Sequence, residues 1–121
     1  MSRQKQKGTA FETESAKGLS ERLGVEVRRN PLMASLDQGD LHGIYIDGEP
    51  FVVECKDHKK YDFAGWQKEL DREMECAETD IGCVLFHRNG IGIQRIGEQG
   101  VYMNVDILCR LLEKIVDRRD A

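Results

Sequence analysis

The stretch Gly39-Asp40-Leu41-His42-Gly43-Ile44-Tyr45-Ile46-Asp47-Gly48-Glu49-Pro50-Phe51-Val52-Val53-Glu54-Cys55-Lys56 decides the fold. Asp-Gly between two apolar runs is a hairpin signal. It predicts strands over Asp40–Ile46 and Phe51–Lys56, joined around Asp47-Gly48. Side chains alternate across a strand. Glu54 and Lys56 therefore share one face, while Phe51, Val53 and Cys55 share the other. For Asp40 to join Glu54 on its face, the two residues must stand opposite each other. That register centres the turn on Asp47 and predicts an odd-length loop or a bulge at Gly48.

An apolar strand that ends with two charges on one face needs a reason, because unpaired buried charge is costly. A surface salt bridge between Glu54 and Lys56 is the plainest one. An Asp at the start of the preceding strand and the apolar approach to Glu54 favour a site instead. Two carboxylates side by side repel unless a cation lies between them. Oxygen ligands of this kind suit magnesium or manganese. Such an ion orients water and stabilises charge on a phosphate, and Lys56 is placed to position that water or hold the developing charge.

Outward from the hairpin, Thr9 to Leu23 reads as a helix with the stripe Phe11, Ala16, Leu19 and Leu23, closed by Gly24. Thr9-x-x-Glu12 reads as a capping box. Val25 to Arg29 reads as a strand broken by Asn30-Pro31, and residues 32 to 39 as a loop. Asp62 is placed to cap a second helix, to about Glu78, with the stripe Phe63, Trp66, Leu70, Met74 and Ala77. Gln67 falls inside that stripe and needs a partner, either within the core or at Glu54 and its water. Cys83–His87 and Ile91–Ile96 flank Asn89-Gly90 as a second hairpin. A last helix over Asp106–Arg118 carries an apolar band of Ile107, Leu108, Leu111, Leu112, Ile115 and Val116. The order α-β-β-β-α-β-β-α predicts an α/β fold, a mixed sheet covered by helices.

The chain has 121 residues, enough for one domain. Residues 1–7 read as a flexible basic tail and 8–121 as the domain. The opening residues hold no apolar stretch of the kind a secretory signal carries, and no run approaches the ~18 apolar residues of a membrane helix. Cys55, Cys76, Cys83 and Cys109 form no close C-x-x-C pair, and His42, His58 and His87 are scattered, which excludes zinc-site spacing. Reduced thiols and a cytoplasmic location are expected. The net charge of -4 argues at first against a nucleic-acid partner. Positive charge is nevertheless bunched at Arg3/Lys5/Lys7, Arg28/Arg29 and Lys56/Lys59/Lys60, while acids crowd Glu69 to Asp80. Arg28, Arg29, Lys59 and Lys60 are the candidates for phosphate contacts.

Lys7-Gly-Thr-Ala-Phe-Glu12 opening a helix, then Gly39-Asp40, then Val53-Glu54-Cys55-Lys56, then a helix bearing Gln67, resembles the archaeal-type Holliday junction resolvases. These belong to the PD-(D/E)XK nuclease superfamily, which has small phage-encoded relatives. The resemblance implies that Glu12, Asp40 and Glu54 bind the divalent ion, with the backbone carbonyl of Cys55 as a further ligand. It implies that Lys56 is the catalytic lysine and that Gln67 supports the site. It also implies a five-stranded mixed sheet with flanking helices, a homodimer, and a functional serine at Ser35. Gly39 stands where the superfamily often has proline, and Asp37 is an extra carboxylate nearby.

The expected function is a magnesium- or manganese-dependent endonuclease of branched DNA, a Holliday junction resolvase. A related nuclease of flaps, ends or duplex DNA is the alternative within the fold. A DNA-binding module that keeps the same fold but lacks catalysis is the other alternative.

Overall fold

The computed structural model describes residues 3–30 and 37–118. Helix α1 spans Arg3–Leu23. It begins well before Thr9, because Arg, Gln and Lys are strong helix formers, and Arg3 to Lys7 belong to it. Thr9 is therefore no N-cap: its carbonyl accepts from Thr13 Oγ1 at 2.9 Å as a mid-helix group does. The capping-box reading of Glu12 is overturned. Gly24, at φ 69°, closes the helix, its N–H donating to the Ser20 carbonyl at 3.0 Å.

Strand β1 is only Arg28–Arg29, shorter than the expected Val25–Arg29. The buried Val27 gives its N–H to Ser20 Oγ at 2.9 Å, so a side chain replaces a ladder partner there. The hairpin follows as β2 Leu41–His42, β3 Tyr45–Ile46, β4 Glu49–Pro50 and β5 Val52–Lys56. Leu41 faces Val53, which sets Asp40 opposite Glu54. At the tip Tyr45 faces Pro50 and Ile46 faces Glu49. Asp47 and Gly48 make a two-residue turn at φ 54° and 77°. The extra residue lies at Gly43 rather than Gly48. Gly43 sits at φ 116°, and a Cβ there would lie 2.1 Å from the Glu26 carbonyl oxygen. Only glycine allows this bulge against the chain entering β1.

Helix α2, Phe63–Cys76, follows β5, with Asp62 Oδ1 accepting the Gly65 N–H at 3.0 Å as its cap. Strand β6, Gly82–Phe86, then lies parallel to β5, with Glu54 beside Val84. Strand β7, Gly100–Tyr102, returns antiparallel. The sheet order is β1-β2-β5-β6-β7. Val53, Cys83 and Leu85 face α1, where Phe11 is fully buried; truncating Phe11 to Ala should cost ~3–5 kcal/mol. Val52 and Val84 face α2, packing with Trp66, Leu70 and Met74.

The second hairpin expected around Asn89-Gly90 does not form. The chain leaves β6 and runs irregularly through residues 87–99, including a 3-10 turn at Ile96–Glu98. One buried side chain holds this excursion. Gln99 Oε1 accepts the Arg88 N–H at 2.9 Å, and its Nε2 donates to the Gly92 carbonyl at 2.8 Å. Helix α3, Val105–Glu113, is shorter than the expected Asp106–Arg118 and is capped by Asn104. Only Ile107 of its apolar band is buried, while Leu108, Leu112, Ile115 and Val116 are exposed. A five-stranded mixed sheet flanked by helices is the restriction-endonuclease-like architecture. No helix among the described residues is long and apolar enough to cross a membrane.

Candidate active site

Two backbone contacts build the site at the junction of β2 and β5. The Asp40 N–H donates to the Val53 carbonyl at 2.8 Å, and Asp40 Oδ2 in turn accepts the Cys55 N–H at 2.8 Å. A strand residue sends its N–H and C=O to the same edge, so the Cys55 carbonyl also faces the Asp40 side. The approach to Asp40 is fixed from β1, where the Asn30 N–H donates to the Asp40 carbonyl at 2.7 Å and Asn30 Nδ2 to the Gly39 carbonyl at 3.0 Å. Gly39 is buried at φ 95°, and a Cβ would meet Val52 Cγ1 at 2.9 Å. Proline holds φ near −65°, so this backbone excludes the proline that the superfamily often carries before its Asp.

Glu54 is 6% exposed, and its Oε1 is buried without a hydrogen-bond partner. Its carboxyl is held far above the usual range, first by burial, then by the Asp40 carboxylate and by Glu73 of α2. Glu73, 2% exposed, is pushed up to about 8, chiefly by burial, with Asp37 adding to it and contact with Glu54 opposing it. Lys56 Nζ lies 2.8 Å from Glu69 Oε2 and 3.5 Å from Glu54 Oε2. Burial pulls the Lys56 ammonium down, but Glu69 and Glu54 together lift it above its ordinary value. Burial also opposes ionisation of Glu69, yet contact with Lys56 leaves its carboxyl below the ordinary range. Beyond Lys56, Asp57 Oδ1 lies 2.9 Å from His87 Nδ1 and 3.6 Å from Lys7 Nζ, tying α1 to the end of β5.

The other residues singled out from the sequence fall as follows. Glu12 accepts from Arg29 Nε at 3.2 Å; burial and Asp40 raise its carboxyl while Arg29 opposes them. Arg29 is thereby turned to Glu12, whereas Arg28, Lys59 and Lys60 are exposed. Gln67 Nε2 donates to Asp71 at 2.7 Å rather than to Glu54, and its Oε1 is buried without a partner. Ser35 lies outside the described residues. Among the described residues, no three acids close into a ready cation cage; Asp40 and Glu54 adjoin, and Glu12 stands off on its arginine.

Glu69 and Glu73 are the site residues that sequence reading missed. Both were absorbed into an acidic run. Glu73 nevertheless stands three residues after Leu70 and beside Met74, within the apolar stripe. The test that singled out Gln67 finds it too.

A divalent cation fits this donor set. Glu54 and Glu73 each bury an oxygen that lacks a partner. Asp40, Glu54, Glu73 and the Cys55 carbonyl are all hard oxygen donors, the kind that magnesium and manganese take. A surface depression of about 390 Å³ lies elsewhere, between α1 and residues 94–98, and is lined by Glu14, Lys17 and Arg22 among others.

No curated protein gives a significant match to the chain. A family model described as "Phage putative PDDEXK endonuclease" matches residues 3–90, from α1 past the end of β6, and the chain belongs to that family, within the PD-(D/E)XK nuclease superfamily.

Proposed function

We propose that this protein is a magnesium- or manganese-dependent endodeoxyribonuclease that cuts branched DNA, four-way junctions foremost, as a homodimer. The observation that carries the nuclease reading is the pair Asp40 and Glu54, opposed across β2 and β5, with Lys56 two residues on. Asp40, Glu54 and the Cys55 carbonyl would hold the cation, and Glu12 would join them by leaving Arg29. A bound ion supplies an activated water and neutralises charge on the scissile phosphate. Lys56 stays an ammonium beside Glu69 and Glu54. Its role is therefore to orient the water and hold negative charge rather than to take a proton.

The preference for junctions rests on the Lys7…Glu12 and Glu54-Cys55-Lys56 likeness and on room for a second copy. An apolar groove of about 210 Å³, lined by Leu19, Leu23, Phe51, Val101 and Leu111, opens beside the exposed face of α3. Cleavage of a four-way junction, a flap and plain duplex, each with magnesium or with EDTA, tests the proposal. Magnesium-dependent paired cuts in the junction support it. Faster cutting of flap or duplex moves the substrate to that alternative. No cutting of any DNA leaves a binding module. Undiminished cleavage by Asp40→Asn would remove the site assignment, and a monomer in sedimentation would remove the dimer.

A further inference from the structure

We propose that Glu73 is a divalent-cation ligand, carried by α2, that extends the site from the β2/β5 junction onto the helix. The inference rests on the cation reading above and adds a donor that lies outside the motif of Asp40, Glu54 and Lys56.

Glu73 is 2% exposed, and its Oε1 has no partner. It lies against Glu54, 6% exposed, whose Oε1 is likewise unpartnered. A buried carboxylate is normally matched by a cation, since removing its charge from water is expensive. Among the described residues no Lys, Arg or His forms an ion pair with Glu73, and Lys56 is engaged by Glu69 and Glu54 instead. Leu70 and Met74 flank Glu73 in the same buried stripe, so the side chain is held within the core rather than swung to solvent. Asp40 stands on the far side of Glu54, and Asp37 reaches Glu73 from the loop before β2. Glu54 and Glu73 therefore adjoin with no positive group paired to Glu73 among the described residues, although no three acids are yet drawn into a cage. A hard cation drawn between Glu54 and Glu73 would give their unpartnered oxygens a partner. It would also pin α2 to β5 in the cation-bound state.

The experiment is calorimetry and thermal melting of the full chain with magnesium chloride or manganese chloride and no DNA, comparing wild type, Asp40→Asn, Glu73→Gln and Glu73→Asp. Wild type should bind and melt higher with the ion. Glu73→Gln should bind at least about tenfold more weakly, and in EDTA it should melt no lower than wild type, because it removes one of two facing carboxyls. Glu73→Asp, which keeps the charge, should recover part of the binding. If Asp40→Asn loses the ion while Glu73→Gln binds like wild type, Glu73 is not a ligand and the cation reading survives. If Glu73→Gln melts well below wild type in EDTA, or Glu73→Asp recovers nothing, Glu73 is a packing residue. If wild type binds no ion, both readings fall together.

Discussion

Glu69 and Glu73 stand one turn apart on α2, and they face alternate residues of the same strand. Glu69 meets Lys56, an opposite charge at 2.8 Å. Glu73 meets Glu54, a second acid, with a buried oxygen left over on each. One helix face thus builds a neutralised pair and an unneutralised one side by side. The first settles the lysine as a fixed positive charge. The second buries two acids that hold their protons tightly and leaves an oxygen unpartnered on each. Charge balance along α2 is incomplete at the end nearer Asp40, and a divalent cation would complete it.

The largest effects should come from the Lys56 end. Lys56→Ala removes the ammonium proposed to face the developing charge, and turnover should fall on the order of 10²–10³-fold, as for other lost charge-stabilising donors. Single-turnover cleavage of a junction measures it, with calorimetry expected to show the ion still bound. Glu69→Gln should cost less, about tenfold, because Lys56 keeps Glu54 at 3.5 Å and loses only the group that aims it. Equal losses in the two variants would mean that Glu69 itself touches the substrate.

The Glu73 end should announce itself through pH. Glu54, Glu73 and Glu12 all hold their protons more tightly in the fold than at the ordinary 4.5. Their stabilising contribution is complete below that value and is lost as pH rises toward the folded values, about 8 for Glu73. Glu69 moves the other way, but its stability is lost only below 4.5, outside this window. In EDTA the protein should melt lower at pH 8 than at pH 5, by roughly 5 °C. Saturating magnesium should flatten that slope. A melting point that stays level in EDTA would mean these carboxyls are better satisfied than their surroundings indicate.

Which parts of this were legible beforehand follows from how local each cause is. The 40-to-54 register is written in adjacent residues, Asp47-Gly48 and the alternation of β5, and it holds. The bulge is not local: Gly43 is required by the Glu26 carbonyl on a neighbouring segment, so it was placed at Gly48 instead. Asn89-Gly90 does turn the chain, but Gln99, farther along, decides that no strand follows at once. Glu12 looked like a cap because the start of α1 was set by Thr9, whereas Arg3 onward is already helical. Glu73 was hidden by its acidic neighbours. A charge run is usually a solvated face, and here one member turns inward.

The smallest expected effect separates the two adjacent arginines. Arg28 and Arg29 point to opposite faces of β1, and only Arg29 pairs with an acid, Glu12 at 3.2 Å. This is a third pair near the proposed cation site, neutralised like that of Lys56 and Glu69. If Arg28, Lys59 and Lys60 touch phosphates, replacing all three by Ala should lower the log-log salt slope of DNA binding by roughly 2–3. Arg29→Ala should leave that slope nearly unchanged. It would instead free Glu12 to turn to the ion, and calorimetry should show magnesium binding as strong as wild type or a few-fold stronger. A reduced salt slope in Arg29→Ala, with cation affinity unmoved, would place Arg29 on the DNA and return Glu12 to an ordinary surface pair.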